Sequence, residues 1–338
     1  MSHDALPDWL QGTLAELLRL RGHALLLEGP SGLAQYELGL ALAASWLCEQ
    51  PTPHGACGHC TSCHSIDVRT HPDLCVLMPE TVSLELGWPL DEQTQAELDG
   101  KKRKPSKEIR VQAMREAVVF SQRTNSRGRG KVVLVYPAER MNGVTANTLL
   151  KTLEEPPGDV RFVLASEAAW KLLPTIRSRC MALAMPWPDA QAAAAWLQAQ
   201  GVPPAEAPVL LRAAGGRPQD ALTLARNGLT AQTWSRLPQA VRRGEVAALS
   251  ERSPAQAIDV LQKICHDLLA SAAGAAPRFF AAEDLPPAPP MRTLGEWSRS
   301  LAQAARTAEH PFNAGLMLEA LVSQASVHLN SGGKSTRQ

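Results

Sequence analysis

The stretch HALLLEGPSGLAQYELGLALAASWLC, residues 23–48, decides how this chain folds. His23 to Leu27 is a short continuous apolar run, the pattern of a buried strand. Gly29-Pro30-Ser31-Gly32 breaks it, and from Leu33 to Cys48 the apolar residues recur at helical spacing. Strand, glycine-rich loop and helix in that order is the frame of a phosphate-binding loop. Such a loop needs a final glycine, a lysine to neutralise phosphate and a Ser or Thr to hold magnesium. Ala34, Gln35 and Tyr36 occupy those three positions. Glutamine has no charge, and tyrosine is too long to put its oxygen on a metal at the helix start. The frame is therefore that of a nucleotide-binding module without its chemistry, and no ATP hydrolysis is expected at Gly29, Gly32, Ala34, Gln35 and Tyr36.

Working outward, an amphipathic stretch from Asp8 to Leu20 precedes this unit. Further apolar runs at Leu74–Met78, Lys131–Tyr136, Arg161–Ala165 and Met181–Met185 alternate with helical patterns near Ile109–Ser121 and Thr145–Glu154. That alternation predicts an α/β module with a parallel sheet covered on both faces. A motor ATPase would end the strand at 131–136 in acidic residues. This chain has Val135-Tyr136-Pro137-Ala138-Glu139 instead, and Glu139 reads as a surface or helix-start residue. From Pro186 onward strand-like runs disappear, and helical segments are punctuated by Pro203-Pro204, Gly215-Gly216 and Asn227-Gly228. The expected division is an α/β module over 1–186, a small helical unit over 187–228, a helical bundle over 229–330 and a disordered tail over 331–338. The clearest helices of the bundle are Pro254–Ala270 and Pro311–Leu329, and Ala281–Pro290 reads as an exposed connection.

With 338 residues the chain has room for two or three domains, and its net charge of +1 argues against binding nucleic acid by bulk electrostatics. No apolar run reaches the roughly 18 to 20 residues a membrane helix needs. The start, MSHDALPDWLQG, lacks a basic region followed by an apolar one, so a cytoplasmic location is expected. Aromatics make up only 4% of the chain, which favours Ala- and Leu-rich helical packing. One segment stands apart: Glu80 to Lys107 is acidic at first and then carries Lys101-Lys102-Arg103-Lys104 and Lys107. It reads as a solvated insertion loop, with a phosphate-contacting patch as the sharper alternative.

Seven cysteines is an odd number and does not suit a fully paired secreted framework. Four of them follow the spacing Cys48-x8-Cys57-x2-Cys60-x2-Cys63, which offers four thiolates for tetrahedral zinc. His54, His59, His64 and Cys75 are alternative fourth ligands, and an iron-sulfur cluster is the competing occupant. No open coordination position is suggested, so the metal would be structural. Later come Ala146-Asn147-Thr148-Leu149-Leu150-Lys151-Thr152-Leu153-Glu154-Glu155, an amphipathic helix stopped by Pro156-Pro157, and Leu173-Pro174-Thr175-Ile176-Arg177-Ser178-Arg179-Cys180. An arginine just before the last strand either forms an internal ion pair or projects toward a neighbour's phosphate.

Taken in order, the cysteine knuckle, Thr70-His71-Pro72-Asp73, the Asn147–Pro157 helix and Ser178-Arg179-Cys180 resemble the delta-prime subunits of bacterial DNA polymerase III clamp loaders, a branch of the AAA+ proteins. The resemblance spans about residues 20–225. It implies an AAA+ module, a small helical lid and a helical collar that joins a five-subunit ring. It also implies gamma or tau motor subunits and a delta subunit as partners and, through them, the sliding clamp and primed DNA. By the same resemblance the chain does not hydrolyse ATP, Arg179 is the finger reaching the adjacent motor's ATP, with Arg177 ranked lower, and the four cysteines hold zinc. Nucleotidyl transfer would belong to the DNA-directed DNA polymerase holoenzyme and not to this chain. Two features depart from the pattern or carry no assigned role: the 80–107 insertion is longer than the family's usual connection, and Arg217 and Gln219 stand where motors carry a nucleotide-sensing arginine. The rival readings are an active AAA+ ATPase and a zinc-dependent nucleic-acid-binding module.

Overall fold

The five apolar runs form β1 (Ala24–Glu28), β2 (Leu74–Leu77), β3 (Lys131–Val135), β4 (Val160–Ser166) and β5 (Met181–Ala184). All pairings are parallel and the strand order is β2-β3-β4-β1-β5, so β1 lies between β4 and β5 with Leu26 opposite Leu164 and Ala182. The computed structural model describes residues 6–308 and 313–331. The expected parallel α/β sheet is present, with each strand within two residues of its expected bounds.

The helices of this part are α1 (Gln11–Leu17), α2 (Gln35–Leu47), α3 (Thr61–Asp67), α4 (Glu80–Glu85), α5 (Glu92–Asp99), α6 (Val111–Gln122), α7 (Gly143–Glu154) and α8 (Pro174–Arg177). Alternation along the strands splits the core in two. Leu25, Leu27, Leu134 and Val163 pack with α1 and α2, while Leu26, Val133, Phe162 and Leu164 pack with α6 and α7. Each leucine fully buried this way contributes about 1.5–3 kcal/mol. Helix α2 lies so close to the sheet that a Cβ on Gly39 would come 2.7 Å from Leu134 Cδ1. The stretch expected as one helix over 8–20 is shorter: a 3-10 turn at Asp8–Leu10 leads into α1. Bonds from Arg19 N to Glu16 O and Leu20 N to Leu17 O then tighten and end it.

The 80–107 segment is not a solvated loop. It contains α4 and α5, and Glu80 at the start of α4 is buried. Arg103 donates from Nη2 to Glu80 Oε1 at 3.0 Å and from Nε to Glu97 Oε2 at 2.7 Å, and Arg110 pairs with Glu80 at 2.9 Å. The acidic and basic blocks answer each other within the segment, which is why counting charges predicted hydration and the fold shows closure. Lys101, Lys102 and Lys104 remain exposed.

The chain divides into two compact units between Pro188 and Asp189. The first expected boundary, at 186/187, lies two residues from this break. The second, at 228/229, falls inside the second unit. That unit is made of α9 (Ala190–Ala199), α10 (Ala207–Ala213), α11 (Pro218–Arg226), α12 (Ala231–Arg242), α13 (Pro254–Ala272), α14 (Met291–Arg306) and α15 (Ala314–Asn330). Buried residues on both sides of 228 belong to one apolar cluster, with Trp234 and Phe280 stacked at 4.5 Å. Helix α13 starts in a capping box between Ser253 and Gln256. Asp267, fully buried on α13, accepts the backbone N–H groups of Arg278, Phe279 and Phe280 at 2.9, 2.7 and 2.8 Å and pins that loop to the bundle. Of the tail expected to be disordered, 332–338 lies outside the described residues.

Candidate functional site

The glycine loop leaves β1 at Gly29 and enters α2 at Gln35. Ala34 keeps a left-handed backbone, φ 65°, at the position where the motif has its last glycine. For a residue with a Cβ that conformation costs roughly 1–2 kcal/mol, so the chain keeps a left-handed turn here without the glycine suited to it. Gln35 is buried and turns back on the loop: Nε2 donates to Gly29 O at 3.1 Å and to Pro30 O at 2.7 Å. Tyr36 is buried as well, and its hydroxyl accepts from Trp88 Nε1 at 2.6 Å. Trp88 follows α4, so the insertion is anchored on this loop's helix, a role that its charge pattern did not announce. The Tyr36 ring also packs against Tyr136 at 5.4 Å. Tyr136 donates to Glu167 Oε1 at 2.8 Å, and burial followed by the Glu167 carboxylate pushes its phenol well above the ordinary range. Glu139 is not simply a surface residue. It accepts from Ser166 Oγ at 2.8 Å and from Glu167 N at 3.2 Å, so it braces the end of β4.

The four cysteines come together. The sulfurs of Cys48, Cys57, Cys60 and Cys63 all lie within 4.8 Å of one another. Resolved pairs are 3.8 Å for Cys48–Cys60, 3.9 Å for Cys57–Cys63, 3.5 Å for Cys60–Cys63 and 3.8 Å for Cys48–Cys63. None is at disulfide distance. Tetrahedral zinc at about 2.3 Å from each sulfur sets sulfur–sulfur edges of about 3.8 Å, and these four of the six edges lie within about 0.3 Å of that value, so the donor set fits that ion. His54, His59, His64 and Cys75 lie outside the group. Local folding explains the convergence: Cys48 ends α2, and Cys60 caps α3 by accepting from Cys63 N at 3.5 Å. Burial raises the Cys60 thiol, but the N–H groups of Cys63 and Glu49 and the neighbouring thiols outweigh it and bring it down to about 6. Cys48 and Cys63 are raised, chiefly by burial.

The Thr70–Asp73 motif fastens this knuckle to the sheet. Asp73, fully buried, accepts from Ser126 N at 2.8 Å and Arg127 N at 3.0 Å, and its own N–H donates to His71 Nδ1. Arg127 then reaches Glu49, beside Cys48, at 3.0 Å, and Glu49 accepts from Ser62 N at 3.2 Å.

Arg179 leaves the short turn after α8. Its Nε donates to Glu154 Oε1 at 2.6 Å, a second guanidinium nitrogen pairs with the same oxygen, and Nη1 donates to Thr175 O at 2.8 Å. The glutamate of the Asn147–Pro157 motif is thus joined to the arginine of Ser178-Arg179-Cys180, a partnership that neither motif reveals alone. Arg177 is exposed; its N–H donates to Leu173 O at 3.2 Å, and its side chain makes no hydrogen bond or ion pair among the described residues. In the second unit Arg217 pairs with Asp220 at 2.9 Å and donates to Ala214 O at 2.8 Å.

A parallel sheet in the order β2-β3-β4-β1-β5, with a glycine loop running from β1 into α2, defines an AAA+ module, here with the last glycine, the lysine and the hydroxyl residue of its loop replaced. The chain belongs to the family described as DNA polymerase III, delta subunit, whose match covers residues 18–188. Its relatives agree. The DNA polymerase III subunit delta' of Pseudomonas aeruginosa is 42% identical over 213 residues, 62% of this chain and 58% of that one. That of Escherichia coli K12 is 35% identical over 203 residues, 60% of this chain and 54% of that one, so the chain spans just over half the length of these relatives. The DNA polymerase III subunit tau of Escherichia coli K12 is 31% identical over 159 residues, 47% of this chain and 21% of that one. Among solved structures, a DNA polymerase III gamma subunit-related protein from Thermotoga maritima superposes over 95% of this chain and 100% of that one, with 16% identity and a TM-score of 0.48. Among the described residues no helix is long and apolar enough to cross a membrane.

Proposed function

We propose that the chain is a stator of the DNA polymerase III clamp loader: a delta-prime subunit that hydrolyses no ATP itself and completes the site of an adjacent gamma or tau motor. The observation that carries this reading is the loop at Gly29–Tyr36, where Gln35 is bonded to the loop's own carbonyls at 2.7 and 3.1 Å and supplies no charge. Residues 187–228 act as the lid and 229–330 as the collar that joins the ring with the motors and delta. Through the ring the chain supports ATP-dependent loading of the sliding clamp on primed DNA in the cytoplasm.

Arg179 is the finger. A guanidinium brought to a transferring phosphoryl group stabilises the charge that develops there, an effect worth roughly 10³ to 10⁵ in rate. Cys48, Cys57, Cys60 and Cys63 hold a structural zinc, which when bound ties the end of α2 to the start of α3; four thiolates leave no open position for catalysis. Reconstitution of motor, delta and this chain tests the reading through DNA- and clamp-stimulated ATP turnover. Turnover should require the chain and fall with Arg179→Ala while assembly stays intact. An assembled Arg179→Ala complex with full turnover would reject the finger.

A further inference from the structure

At the end of the sheet where β3 and β4 begin, away from the Gly29 loop, lies a cavity of about 490 Å³ within the first unit. That is the size of a ligand pocket, typically ~300–1,000 Å³. Its floor is apolar, made of Ala15, Leu18 and Trp46 with Pro51 and Pro53 beside them. Its rim carries Arg19, Arg129 and Arg161 against one carboxylate, Asp159. Arg161 is half-buried at the start of β4, with its guanidinium 4.9 Å from the centre of the Trp46 ring. Neither Arg161 nor Arg19 has a carboxylate partner among the described residues, and Arg129 spends one nitrogen on Glu49 O at 2.5 Å. A half-buried cation with only an aromatic face beneath it favours an incoming anion.

We infer that this cavity binds an acidic peptide segment of a partner protein, with an apolar side chain on the Leu18–Trp46 floor and carboxylates on Arg19, Arg129 and Arg161. An apolar floor ringed by guanidinium groups matches a ligand that carries both characters close together. A nucleic-acid strand fits less well. It needs a continuous cationic track and free aromatic faces, whereas here Asp159 stands among the cations and Arg161 lies over the ring on which a base would stack.

The test uses the full chain and a fluorescein-labelled peptide of three aspartates followed by leucine and phenylalanine, with fluorescence anisotropy as the readout. Saturable binding is expected. It should weaken at least about tenfold in an Arg19→Glu/Arg129→Glu variant whose thermal melting is unchanged, and also when the aspartates become asparagines or the two apolar residues become serines. Absence of saturable binding, or binding indifferent to the charge reversal, overturns the inference. So does a labelled oligothymidylate that binds, is lost in the same variant and is not displaced by the peptide, because the cations would then serve phosphates.

Discussion

Glu154 Oε1 holds Arg179 Nε at 2.6 Å across 25 residues of sequence, with the two side chains 47% and 31% exposed. Pairs that open to water contribute only about 0.2–1 kcal/mol. The finger effect proposed for Arg179, roughly 10³ to 10⁵, corresponds to about 4–7 kcal/mol of transition-state stabilisation, more than the pair contributes. The pair therefore parks and orients Arg179 without locking it. A double-mutant cycle of Glu154→Gln and Arg179→Ala, followed by urea unfolding, should give a coupling below about 1 kcal/mol. A coupling of several kcal/mol would make Arg179 a structural clamp and remove it from the mechanism.

Trp88 and Gln35 separate two ways in which the loop could exclude nucleotide. Trp88→Phe removes the donor to Tyr36 and keeps a ring; the lost hydrogen bond should cost about 0.5–1.5 kcal/mol. Calorimetric titration with ATP and magnesium should stay flat in that variant, because Gln35 still supplies no charge and still bonds Gly29 and Pro30. Binding that appears in Trp88→Phe would mean that the insertion shields a competent loop.

Much of this was legible in the sequence. Period and punctuation located the five strands: β1, β3 and β4, buried on both faces, have to be continuous apolar runs, while the edge strands β2 and β5 are apolar runs that stay partly or mostly exposed. The cysteine spacing located the knuckle, because metal-ligand spacing leaves few other uses for four thiols. Three features were hidden for physical reasons. Charges that pair over long distances, as Glu80 does with Arg103, look like hydrated charge when counted locally. The Tyr36–Trp88 bond joins residues 52 apart, and no periodicity encodes such a contact. Asp267 looks like any polar residue of an amphipathic helix until the loop at 278–280 folds back onto it.

The knuckle makes a quantitative claim about metal content. Protein purified without chelator should carry one zinc per chain by elemental analysis, and Cys60→Ser should lose it. Because a bound zinc ties the end of α2 to the start of α3, and serine at position 60 keeps the α3 cap but not the metal, the variant should also melt several degrees lower, with the loss confined to the first unit. Metal-free protein that melts like Cys60→Ser would fit; absence of zinc together with an unchanged melt would leave the four cysteines without a metal role.

Glu80 gives the insertion a pH signature. Burial raises its carboxyl, but donors on Arg103, the Ser106 N–H and the charge of Arg110 outweigh that and hold it below the usual range. A folded value below the unfolded one means stability that is complete above the unfolded pKa, about 4.3, and is lost as pH falls through the folded value. Glu80→Gln should therefore cost about 1–2 kcal/mol near neutral pH, after allowance for the partial exposure of Arg103. The gap between wild type and variant should narrow as pH falls below about 4.3. Urea unfolding across pH 7 to 3 reads this directly. A gap that is constant with pH would show that Glu80 acts by shape alone, and that closure of the 80–107 segment rests on Trp88 and the apolar contacts of α4.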